Sequence, residues 1–249
     1  EQVMAWATVS GYRAGDNPAA WKNNLDTLLP GPSKVAKSQH WPALALTDAA
    51  RWFEALKRRE GMAARALEFL AMTAARSGEI RGATWAEVDL DRALWTVPAS
   101  RMKAGREHRV PLTEDAVALL KALPRFEGAD TIFAATRGGQ LSDMSISAVM
   151  RRMNETEVKA DRDGWLDPAS KRPAVPHGLR SSFRQWTAER GYPRDMAELA
   201  LAHFVGTEVE RSYQRSDLLA RRRAMMDDWC RFLAGQTDAK VVAIRGAHQ

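Results

Sequence analysis

"RALWTVPASRMKAGREHRVPLT", residues 92–113, holds two short apolar runs separated by a charged turn that contains Gly105. The runs "RALWTVPAS" and "HRVPLT" carry Trp, Val, Leu and Thr, the bulky residues that fit a pleated half-buried surface. The segment between them, "RMKAGRE", gathers charge at a turn. Strand, glycine-bearing turn, strand predicts a hairpin. The segments on either side read as helix. One small antiparallel β-sheet inside a mainly α chain, an α+β class, is the fold this stretch decides.

Working outward, "TDAARWFEALKRREG" predicts a helix capped by Thr47 and stopped at Gly61. "MAARALEFLAMTAARSG" follows, with apolar positions at Ala63, Ala66, Leu67, Leu70 and Ala71 and a terminating Gly78. "GEIRGATWAEVDL" predicts a short helical turn before the hairpin. Beyond the hairpin, Thr113 caps "EDAVALLKAL", and "SDMSISAVMRRMNE", "HGLRSSFRQWTAERG" and "SDLLARRRAMMDDWCRFLAG" are further helices. Residues 1–13 read as the end of an upstream domain, a helix stopping at Gly11. Residues 14–42 contain Pro18, Pro30, Pro32 and Pro42 and read as an interdomain linker with one short helix. The expected organisation is completed by a compact domain over 43–235 and a C-terminal tail over 236–249, in which "KVVAIR" suggests a short strand. A first residue other than Met predicts a fragment of a longer protein.

The 249 residues are 45% hydrophobic and 27% charged, ordinary for a globular chain with a substantial core. The net charge of +6 points towards a polyanionic partner without proving one. A single cysteine, Cys230, forms no internal disulfide, fits a reducing cytoplasmic compartment, and shares core-like spacing with Trp229 and Leu233. No apolar run reaches the ~18 residues of a membrane span, and no leader opens the chain. There is no His-Glu-x-x-His, Cys-x-x-Cys, tight Asp cluster or phosphate loop, so neither metal nor cofactor is expected.

Five places carry groups suited to phosphate chemistry. Arg76 stands three residues before Glu79, and pairing between the two is the plain reading. Lys103 sits at the hairpin turn, where a solvated lysine is ordinary. His177 and Arg180 lie three apart after Pro176, one helix face, so an imidazole and a guanidinium can aim at one point. His203, in "LAHF", reads as a ligand of an anion or, the commoner fate, a satisfied core histidine. Tyr213, in "ERSYQRSD", is one of three tyrosines. Lys34 and Lys37 suit either a strap on a polyanion or a plain tether. Arg106 in the hairpin and Arg184, one turn beyond Arg180, are further candidates for contact with a polyanion, with solvation as the alternative for Arg184.

Taken together, the order Arg, Lys, His-x-x-Arg, His, Tyr resembles the tyrosine recombinases, the phage integrase family, and especially the integrases of prophages and genomic islands. The phrases "ARSGEIRGATWAEVDLD", "RVPLT", "IFAATRGGQLSDMSIS" and "RSYQRSDLLARRRAMMDDWCRFL" carry the likeness, which is strongest over 70–232. One departure is Ala202, where the family usually has Gly; it is harmless at negative φ and puts the placing of His203 in doubt at positive φ. The resemblance implies the family's catalytic-domain fold and a site-specific DNA recombinase, an enzyme that integrates or excises a mobile element. Tyr213 would attack phosphorus to give a 3′-phosphotyrosine and a 5′-hydroxyl. Arg76 and Arg180 would hold the non-bridging oxygens, Lys103 would protonate the leaving oxygen, and His177 and His203 would bond the phosphate or manage the tyrosine proton. Glu79 would support Arg76. The implied partners are double-stranded DNA at attachment sites, a homotetramer on DNA formed from a monomer in free solution, and accessory DNA-bending proteins, with no membrane. The rival readings are a type IB topoisomerase-like enzyme, a DNA binder of the same fold without strand exchange, and a basic helical protein unrelated to DNA. The tail is expected either to dock on a neighbouring protomer, as family tails do, or to fray.

Overall fold

The computed structural model describes residues 1–31, 40–126, 128–136, 138–203 and 217–236. Lys34, Lys37, Tyr213 and the "KVVAIR" segment lie outside the described residues. The chain forms two compact units, Glu1–His40 and Trp41–Gln249.

In the first unit, helix α1 (Gln2–Val9) buries none of its side chains. It ends as expected before Gly11, whose φ of 76° lets the chain turn. Arg13 closes the turn, donating to Thr8 Oγ1 at 2.7 Å and to the Asp16 carbonyl at 2.7 Å. A short irregular turn at Trp21–Leu25, kinked at Lys22 and Asn23, runs on into one helical turn, Asp26–Leu28, in the linker region.

The second unit is mainly helical around one small sheet. Helix α2 (Ala49–Lys57) buries Ala49, Trp52, Phe53 and Leu56, the spacing of one helix face. Helix α3 (Met62–Thr73) is buried almost all round from Ala64 onward, which makes it the central element. It packs against α2, against α5 (Glu114–Ala122), against α6 (Ser145–Lys159) and against α9 (Leu219–Leu233). Short α4 (Ser77–Arg81) follows α3, and α7 (Gly178–Glu189) and α8 (Arg194–Ala200) precede α9.

Strands β1 (Val88–Asp89), β2 (Leu94–Val97) and β3 (His108–Pro111) form an antiparallel sheet in the order β1-β2-β3. The hairpin register pairs Leu94 with Pro111 and Val97 with His108. Trp95 and Val97 point into the core, where Trp95 meets Phe69 at 5.5 Å between ring centroids. Cys230 is buried, and burial pushes its thiol up to about 12. Thr113 caps α5 as expected, accepting from the Ala116 N–H at 3.3 Å.

Three boundaries differ from the sequence reading. Thr47 does not cap α2; it lies inside a 3₁₀ turn, Leu46–Asp48, that leads into the helix. Gly61 does not end α2 but opens α3, at a φ of 94°. Helix α3 stops at Ala74, with φ 50°, four residues before Gly78, which lies inside α4. Its early end has a partner: the Ala74 carbonyl accepts a 2.6 Å hydrogen bond from Arg180.

Candidate active site

The start of α7 is placed by the segment 41–44. The Val175 N–H donates to the Pro42 carbonyl at 3.1 Å, and Ser182 Oγ donates to the Leu44 carbonyl at 2.6 Å. Gly178 makes this approach possible: a Cβ there would lie 1.8 Å from the Pro42 oxygen. His177 stands at the N-terminus of α7, with the Trp41 ring edge-on at 5.7 Å.

Arg180, one turn in, is buried. It donates to the Ala74 carbonyl and to the Leu201 carbonyl, each at 2.6 Å, and lies 3.1 Å from His203 Nε2. It thereby ties together the C-terminal ends of α3 and α8. Carbonyls at helix ends carry partial negative charge, which offsets part of the cost of burying a guanidinium. Burial, and then the charge of Arg76, still bring its pKa down to about 10. A guanidinium has five N–H donors, and these contacts use three.

Arg76 immediately precedes α4, and Glu79 lies in that helix's first turn. Both Glu79 oxygens serve Arg76: one accepts from its backbone N–H at 2.9 Å, the other from its guanidinium at 2.8 Å. Glu79 is buried, so the pair is held rigidly. Lys103 is exposed in the turn between β2 and β3, in a segment reversed at Gly105 with φ 63°.

His203 follows α8. Its backbone N–H donates to the Glu198 carbonyl at 2.9 Å, and its Nδ1 lies 2.6 Å from Glu198 Oε2. Ala202 has φ 51°, the left-handed region in which a glycine is at ease. The doubt attached to that conformation is answered by contacts: His203 is held from both ring nitrogens.

His177 joins these groups electrostatically. Its pKa is lowered first by burial and then by Arg180, Arg76, His203 and Lys103. The structure therefore brings Arg76, Lys103, His177, Arg180 and His203 within electrostatic reach of one point. Arg184 takes a different place: its Nε donates to Glu198 Oε1 at 2.7 Å. Arg106 lines a cleft of about 420 Å³ running from Met102 past His108 to Ala202, His203 and Arg222.

Sequence reasoning missed Glu198, His108 and Arg222. Burial first and Arg222 next lower the His108 pKa to about 3, so its ring is neutral, bonded to the Ala200 backbone. Arg222 is buried and donates to the Arg109 carbonyl. Only Glu198 left a usable signal, an acidic residue five positions before His203 in the otherwise apolar run "MAELALAHF". Among the described residues, no group of three or more His, Cys, Asp or Glu side chains could hold a metal ion.

A family model described as the phage integrase family matches residues 44–218, a span that runs from the segment before α2 through every residue of this cluster. The chain belongs to that family. It is 33% identical over 174 residues to the prophage integrase IntA of Escherichia coli (strain K12), covering 69% of this chain and 38% of the relative. It is 32% identical over 217 residues to the prophage integrase IntZ of the same strain, covering 86% of this chain and 48% of the relative. The chain thus spans less than half the length of those two relatives. Its fold is also that of solved integrases. The integrase from mycobacterium phage Brujita aligns with a TM-score of 0.55 at 21% identity, over 95% of this chain and 74% of that one. A lambda integrase tetramer bound to a Holliday junction gives 0.55 at 20% identity, over 87% and 56%.

Proposed function

We propose that this integrase is the catalytic part of a site-specific DNA recombinase that cuts and rejoins strands through a 3′-phosphotyrosine. The observation that carries the reading is the gathering of Arg76, Lys103, Arg180 and His203 around His177, with Glu79 holding Arg76 and Glu198 holding His203. Such a site is organised for an anion that gathers negative charge as it reacts. Arg76 and Arg180 are the forks for non-bridging phosphate oxygens. His177 and His203 supply ring nitrogens that can donate to, or accept from, the reacting groups.

Tyr213 is the proposed nucleophile. Its phenolic oxygen forms the bond to phosphorus as the bond to the 5′ oxygen breaks; the phenolic proton passes to a histidine, and Lys103 protonates the departing 5′ oxygen. Attack by a 5′-hydroxyl of a partner strand reverses these steps, so the phosphodiester is conserved and no energy source is consumed. On this reading 43–235 is the catalytic domain, 14–42 a linker and 1–13 the end of a core-binding domain. The partners are attachment-site DNA and three further copies on a junction, as in the lambda integrase complex. Free monomers, accessory bending proteins and a place in the bacterial cytoplasm complete the proposal. Lys34, Lys37 and Arg106 are proposed to meet flanking phosphates.

The test is a nicked suicide duplex carrying candidate attachment DNA, mixed with wild type and with Tyr213→Phe in EDTA. A denaturation-resistant protein–DNA band in wild type alone is expected. Binding without any covalent band would favour a non-cutting binder; resealing of the original strand without transfer to a second duplex would favour the topoisomerase-like reading.

A further inference from the structure

Glu198 belongs to none of the motifs that marked this site, yet both its oxygens are committed. Oε1 accepts from Arg184 at 2.7 Å, and Oε2 lies 2.6 Å from His203 Nδ1. On its far side, His203 Nε2 lies 3.1 Å from Arg180 Nη2. A guanidinium only donates, so Nε2 accepts there and Nδ1 carries the proton that Glu198 receives. The row Arg184, Glu198, His203, Arg180 is satisfied at every contact by this one tautomer. The same residue holds His203 a second time, through the 2.9 Å bond from the His203 N–H to the Glu198 carbonyl. The Glu198 side chain is only 19% exposed against 43% for His203, so the carboxylate sits behind the ring and the ring faces outward.

We propose that Glu198 is a positioning residue for strand cleavage: it fixes His203 as the Nδ1–H tautomer, with Nε2 turned towards Arg180 and the phosphate, while Arg184 anchors Glu198 from behind. The chemical half of this inference rests on the recombinase reading. A ring so held can take a proton at Nε2 and return it there, without rotating between steps. Burial alone would raise the Glu198 pKa, but the bonds from His203 and Arg184 bring it below its ordinary value, so the acceptor is a carboxylate at neutral pH. The arrangement follows the general rule that a working imidazole is aligned through its other nitrogen. It also gives Arg184 a task other than contact with DNA.

Two measurements test this. In single-turnover cleavage of the nicked duplex, Glu198→Ala should slow the reaction roughly tenfold or more, with Kd for uncleaved DNA within about twofold. Glu198→Gln keeps an oxygen for Nδ1–H and should recover most of the rate. In a His203→Ala background, Glu198→Ala should add nothing. A wild-type rate in Glu198→Ala, or the same loss with and without His203, overturns the proposal. Long-range ¹H–¹⁵N correlation of the neutral ring in the free protein is the second measurement. It should show Nδ1–H in wild type and a tautomer mixture in Glu198→Ala; Nε2–H in wild type overturns the proposal. Because this needs no DNA, a wild type that fails to cleave would count against the recombinase reading alone.

Discussion

Ala202 stands at φ 51° immediately before His203. A left-handed conformation costs an L-residue roughly 1–2 kcal/mol, and glycine avoids that cost but loses more chain entropy on folding. Relief outweighs entropy here, because the Ala202 N–H bonded to the Leu199 carbonyl and the His203 N–H bonded to the Glu198 carbonyl hold the backbone in place. Ala202→Gly is therefore expected to stabilise the fold by about 0.5 kcal/mol, a small rise in Tm, with no loss of cleavage. Arg180 presents the opposite case. Lys in its place has one ammonium for acceptors spread over α3, α8 and His203, so at least one buried carbonyl loses its partner. Arg180→Lys is expected to cost about 2 kcal/mol in urea unfolding and to abolish covalent capture of DNA.

Among the elements, α7 depends on what it touches at its first residue. A methyl group at position 178 would meet the backbone of Pro42 at 1.8 Å, and a backbone oxygen cannot rotate away as a side chain can. Gly178→Ala is expected to destabilise by about 2 kcal/mol or more and to displace His177, which a lowered Tm together with lost cleavage would show. Strand β3 depends on His108, whose ring bonds the backbone at the end of α8. In the unfolded chain this histidine titrates near 6.5, whereas burial holds it to about 3 in the fold. Between those values the unfolded chain carries the extra proton, so stability is complete above about 6.5 and falls as pH drops, by up to ~1.4 kcal/mol per unit. His108→Asn should flatten that slope in pH-dependent urea titrations. The hairpin, the Thr113 cap and the helix faces were legible because local periodicity and turn chemistry decide them. The end of α3 was not, because Ala74 adopts its conformation with its carbonyl held by Arg180, a residue 106 positions away. Glycines misled as well: Gly61 opens α3 and Gly78 lies in the first turn of α4, because a glycine serves a helix start as readily as a stop. The catalytic candidates could be read from their order, whereas Glu198 and His108, which hold the site from behind, required the packing of α7, α8 and β3.

At the scale of the molecule, the surplus of +6 is modest, since 37 basic residues face 31 acidic ones. What matters is where neutralisation occurs. Glu157 of α6 binds Arg51 and Arg162, and Glu54, Asp48 and Asp228 pair with basic neighbours three or four residues away. Around the candidate site the two carboxylates of Glu79 and Glu198 are outnumbered by the cations of Arg76, Lys103, Arg180 and Arg184. The local field is therefore positive although the whole chain is nearly balanced, and a phosphate can be recognised without a strongly basic surface. Such binding releases counterions. With six to ten phosphate contacts, affinity for duplex DNA should fall by roughly 10³ to 10⁵ between 50 and 200 mM salt. Fluorescence anisotropy over that range gives the slope of log Kd against log salt. Replacing Lys103 by Ala should reduce it by about one contact, because on the proposed reading exposed Lys103 would meet a single phosphate, whereas Arg51→Ala should leave it unchanged. An unchanged slope for Lys103→Ala would place the hairpin turn away from the backbone, and with it the proposed source of the leaving-group proton.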